Sequence, residues 1–158
     1  MPYPRPTLTG FTTFVRNEMG IPTSVLPDGS VWIQWAFNQA ISLVNHQIRV
    51  VPLQYLLAVY NLAGDTLVNI AQDEPDAPAV PGSKPSLPFF AWTRRRLNLN
   101  SFVTGVISST SDEGTSESMV VPDWVKNMTL ADLQLVKTPW GQKYLGIAQA
   151  VGSDWGLS

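Results

Sequence analysis

The chain has 158 residues, of which 44% are hydrophobic and only 14% charged, and its formal net charge is −2. A soluble domain carries about 25% charged residues, so this one is charge-poor: too apolar for a hydrated disordered chain, and without the broad basic footprint of a dedicated nucleic-acid binder. It has no cysteine and a single histidine, His46, which excludes disulfides, thiolate chemistry and two-histidine metal sites.

The length predicts one domain over 1–158. Residues 1–8 contain Pro2, Pro4 and Pro6, which predict an extended arm. No basic region followed by an apolar run opens the chain, so no secretory signal is expected. Thr9 reads as the N-cap of a helix from Gly10 to Met19 that Gly20 ends, with Phe11, Phe14 and Val15 on one face. Pro22 and Pro27-Asp28-Gly29 mark turns. A second helix is predicted from Ser30 to Asn45. Its apolar stripe is too wide for one face, which predicts a central or sandwiched helix. The 20 residues from Gly29 to Ile48 carry no charge, about a bilayer span. Gln34, Asn38, Gln39, Asn45, His46 and Gln47 would be unpaired in lipid, so a buried or interfacial soluble helix is the reading.

Pro52 suits the first turn of a third helix, Leu53 to Ala71. Gly64-Asp65 inside its apolar stripe marks a kink or a close packing point. Five prolines between Asp73 and Pro88 predict a loop that wraps the body. A short helix, Phe89 to Leu97, then carries Arg94-Arg95-Arg96. Phe102–Ile107 is apolar and partly β-branched, Ser108–Ser118 is polar, and Met119–Val121 is apolar again, a pattern for a long hairpin or projecting loop over 101–121. Thr129-Leu-Ala-Asp132 resembles a capping box. The helix it opens runs to about Lys137, and Pro139 breaks or restarts it. The last helix, Pro139 to Val151, is capped by Gly152 and followed by a tail, 153–158. The fold class expected is mainly α: a small helical bundle with a long projecting hairpin or loop and extended N- and C-terminal segments.

Candidate chemistry is sparse. Ser108–Ser118 with Asp112, Glu113 and His46 lacks a nucleophile elbow and reads as a solvated loop tip. No phosphate-binding glycine signature occurs. Asp65, Asp73, Glu74 and Asp76 are the nearest thing to paired carboxylates, and the surrounding prolines favour an exposed loop. His46 reads as a loop or helix-end residue. No catalytic residue, metal site or cofactor is expected. Arg94, Arg95 and Arg96 form the one dense positive patch, suited to carboxylate or phosphate pairing or to ordinary helix-surface charge. Of six tryptophans, Trp32, Trp35, Trp92 and Trp140 read as core, Trp124 lies near a turn, and Trp155 is a candidate interface anchor.

Two phrases, Phe102–Val121 and Leu133–Gln149, together with the arm Met1–Phe11 and the ending Trp155-Gly156-Leu157-Ser158, resemble small structural proteins encoded among the virion genes of tailed bacteriophages. By size, helix count and projecting loop the chain is similar to head–tail adaptor proteins. The resemblance implies a structural component of the phage neck rather than an enzyme. It implies a homo-oligomeric ring, usually of twelve copies, that connects the portal protein to a tail or nozzle protein. DNA passes through such a ring without sequence-specific binding, and no membrane is involved. The virion neck, assembled in the host cytoplasm, is the implied location. Arg94–Arg96 then become a portal or DNA-channel contact. Phe102, Val106, Ile107, Met119 and Val120 become intersubunit contacts, and Trp155 and Leu157 a C-terminal docking segment. Competing readings are another virion role, such as tail terminator or capsid-associated protein, and a small monomeric binding domain or enzyme.

Overall fold

The computed structural model describes residues 4–100 and 130–151. The projecting hairpin expected over 101–121 and the tail over 153–158 lie outside them, and with them Phe102, Val106, Ile107, Met119, Val120, Trp124, Thr129, Trp155 and Leu157. The fold is mainly α. Among the described residues six α-helices occur and no strand: α1 Leu8–Asn17, α2 Val31–Leu43, α3 Pro52–Ile70, α4 Phe89–Arg96, α5 Leu130–Leu135 and α6 Pro139–Val151, with a 3₁₀ turn over His46–Val50.

α1 begins earlier than expected. Thr7, not Thr9, is its N-cap, and its side chain accepts from Gly10 N. A distant residue sets the boundary: Thr7 N donates to the Tyr60 hydroxyl (3.2 Å), which donates back to Thr7 O (3.3 Å). Gly10 permits this approach, since a Cβ there would lie 2.1 Å from Tyr60 Oη. The arm therefore ends at Thr7 rather than at residue 8. Gly20 stops the helix in the left-handed region (φ +67), and Ile21 N reaches back to Val15 O. Arg16 then staples the following turn, donating to Ile21 O, Leu26 O and Asp28 Oδ1.

Ser30 caps α2, which ends at Leu43, short of the predicted Asn45. Val44 is already extended, and Asn45 caps the 3₁₀ turn instead. α2 is not the central helix. It buries Ile33, Ala36, Phe37 and Ala40 and leaves Val31, Trp35 and Leu43 exposed. The centre belongs to α3, which packs chiefly on α2 and α6, also touches α1 and α4, and is buried on every side from Ala58 to Val68. Phe11, Phe37 and Tyr60 cluster between the first three helices, with ring centroids 5.9–6.5 Å apart. At Gly64, the close-packing alternative holds: a Cβ would meet Met19 Sδ at 3.2 Å and Trp140 Cγ at 3.4 Å.

The proline-rich connection after α3 is irregular and mostly exposed, and it carries an unforeseen cap. Pro88 offers α4 no side-chain cap. The Asp73 carboxylate, 17 residues upstream, accepts from Phe90 N (2.8 Å) and Ala91 N (2.9 Å) instead, which satisfies the free amides of the first turn. Asn98 (φ 55) closes the other end of α4 in a left-handed turn. Pro139 restarts the chain as α6.

Candidate functional site

The arginine run does not form one patch. Successive helical residues are about 100° apart, so three in a row fan out around α4. Arg94 turns inward, and its Nε donates to Val68 O at 2.9 Å, serving a carbonyl in the last turn of α3. Burial lowers its pKa below the usual arginine value, against the opposing charge of Asp73. Arg95 is exposed. Arg96 lies over the Trp92 ring, 4.6 Å from its centroid. The run is thus one packing residue and two surface cations.

The tryptophans divide in the same way. Trp35, expected in the core, is 56% exposed, while Trp32, Trp92 and Trp140 are half-buried. Trp35 sits edge-on to Trp32 at 5.5 Å. Around it the outer face of α2 presents Val31, Gln34, Asn38, Gln39, Ser42 and Leu43, with no charged group. The apolar exposure continues into the next turn through Val50, 85% exposed, and through Val51, Leu53 and Leu57.

Two grooves open between the helices. One, about 760 Å³, lies between α1, α3 and α6 and is lined by Phe14, Leu57, Tyr60 and Ile147, with Glu18, Asn61 and Lys143 among its polar members. Asn61 is 4% exposed; its Nδ2 donates to Leu57 O and its Oδ1 has no partner. The other, about 950 Å³, lies at the start of α3 and is lined by Pro4, Arg5, Pro6, Thr7, Ile41, Arg49, Pro52 and Tyr55. Here Arg49 stacks on the Tyr55 ring (5.2 Å) and donates to its hydroxyl (3.3 Å).

The four carboxylates considered as candidates do not converge. Asp73 caps α4, and Glu74 and Asp76 are exposed on the following turn. Asp65 is 5% exposed at the centre of the molecule, a correction to the expected exposed loop. Thr138 Oγ1 donates to Asp65 Oδ1 while accepting from Gly141 N, the first-turn amide of α6. One threonine therefore caps α6 and donates a hydrogen bond to the buried acid of α3. Burial raises the Asp65 pKa from 3.8 to about 6, against the lowering effect of the Thr138 hydrogen bond. Tyr144 is pushed up to about 12 by burial, then by the Asp132 charge. The only sequence sign of the Asp65 cluster was an acid inside an apolar stripe. Thr138 as its partner, 73 residues away, had no local sign at all.

His46 is exposed at the start of the 3₁₀ turn. Among the described residues no three His, Cys, Asp or Glu side chains group to hold a metal ion. No described helix is long and apolar enough to cross a membrane. Comparison with known proteins finds no matching family model, no matching curated protein and no matching solved structure.

Proposed function

We propose that the chain is a structural subunit of a tailed-bacteriophage neck, building the ring that joins the portal to the tail or nozzle. The observation that carries this reading is the uncharged outer face of α2 and its continuation over Val50–Leu57, where Trp35, Leu43, Val50 and Leu53 are each more than half exposed. Interface cores are depleted in charge and enriched in aromatic residues. Covering this face with a neighbouring subunit takes no charge out of water. Trp35 and Leu43 serve as intersubunit contacts in this reading, in addition to the segments around Phe102–Val121 and Trp155–Leu157. Of the arginine run, Arg95 and Arg96 are the groups able to face the portal or the DNA channel, because Arg94 is spent on the α3 carbonyl.

A monomeric binding module is the second reading, favoured by the groove between α1, α3 and α6, where the unpaired Asn61 acceptor lies among apolar walls. Light scattering of the purified chain, alone and with purified portal, separates the two. A cryo-EM map of the source particle with this chain in a neck ring is the expected result. A chain that stays monomeric beside portal, and that has no density in the neck, refutes the first reading.

A further inference from the structure

α3 has 19 residues, so its ends lie about 28 Å apart, and they differ in chemistry. At its start Arg5 and Arg49 line the second groove, and no acidic residue does. Arg49 is held on Tyr55, with a donor spent on the phenol oxygen. Among the described residues neither arginine forms an ion pair with a carboxylate. Val50, Val51 and Leu53, next in sequence to the groove residues Arg49 and Pro52, are exposed. Beyond the end of α3 the opposite arrangement occurs. Glu74 and Asp76 are exposed on a turn closed by Ala77 N donating to Glu74 O (3.0 Å), with Pro75, Pro78 and Ala79 exposed beside them. Asp73 is occupied by the start of α4 and faces the charge of Arg94, which leaves Glu74 and Asp76 as the exposed carboxylates of the turn.

We propose that a second copy of this chain docks head to tail, with the Glu74–Asp76 turn of one copy seated in the Arg5–Arg49 groove of the next. Guanidinium forks pair with carboxylates through two hydrogen bonds, and the prolines and alanine of the turn meet the exposed Val50, Val51 and Leu53. The two patches sit at opposite ends of one helix, so they cannot meet within a molecule. They are also unlike each other, so the contact is heterologous and generates a ring when its rotation closes. This inference rests on the ring reading and specifies its contact.

The test compares an Arg5→Glu/Arg49→Glu variant with a Glu74→Arg/Asp76→Arg variant by sedimentation equilibrium in low salt, with circular dichroism as the folding control. Wild type is expected to self-associate, and more weakly as salt rises. Each variant alone is expected to lose at least tenfold in association constant. An equal mixture of the two recovers association, because the reversed charges complement each other again. Either variant associating like wild type, or a mixture that stays monomeric, overturns the contact. So does an arginine variant that keeps its self-association and loses only binding to a duplex DNA probe, which would assign the groove to nucleic acid. If both variants still enter neck rings the contact falls and the ring reading stands. A wild-type chain that stays monomeric in low salt overturns the contact, and one that also has no density in the neck overturns both.

Discussion

Asp65→Asn replaces the buried carboxylate by an isosteric amide whose oxygen still accepts from Thr138. In the wild-type protein the carboxyl pKa stands at about 6 against 3.8 for the unperturbed group, a preference for the neutral form of about 3 kcal/mol. Because the folded-state value is the raised one, the native protein binds this proton more tightly than the unfolded chain does. The stabilisation it contributes is fully present below pH 3.8 and is lost as pH rises through 6. Above that pH an ionised Asp65 is carried in the core at a cost. Asp65→Asn should therefore be more stable than wild type by about 3 kcal/mol near pH 8, or about 6–12 °C in Tm for a chain of this size. The gap should close as pH falls towards 4. Urea unfolding followed by tryptophan fluorescence between pH 4 and 8 measures it, and the difference between the two proteins isolates this one group. A variant less stable than wild type at pH 8, or a gap that does not change with pH, would refute the assignment of Asp65 as a desolvated acid.

Gly141→Ala should cost at least about 2 kcal/mol in the same unfolding assay, because its Cβ would stand 2.1 Å from Leu135 O and backbone cannot give way cheaply. Gly146→Ala, five residues on with open space around it, should instead stabilise by about 0.5–1 kcal/mol through helix propensity. Asp73→Ala removes both acceptors of the α4 cap and should cost about 1–2 kcal/mol, read as lower Tm with early loss of protection at the Phe90 and Ala91 amides in hydrogen exchange. Trp35→Ser should change monomer stability by less than about 1 kcal/mol while weakening self-association measured by light scattering; a core tryptophan would cost about 3–5 kcal/mol.

The helical class and nearly every helix were legible because their causes are local. Ser30, Pro52 and Gly20 are caps, first-turn residues and stops by their own backbone chemistry, and Pro139 restarts the chain wherever it is placed. The apolar spacing of α3 was likewise enough to identify a helix. Where the larger departures arose, a distant residue had acted. Tyr60 moved the start of α1 to Thr7, Asp73 capped a helix 17 residues later, and the helices packed on α3 made Asp65 a core acid with Thr138 as its partner. Composition could state that α2 was apolar nearly all round, but not which helix stands in the middle. That depends on how many neighbours surround each one, and α3 has them on all sides while α2 keeps an uncharged face outward. The arginine run shows the same division. Its charge was readable from three letters; its meaning was set by helical geometry, which sent Arg94 to the end of α3 and left Arg95 and Arg96 on the surface.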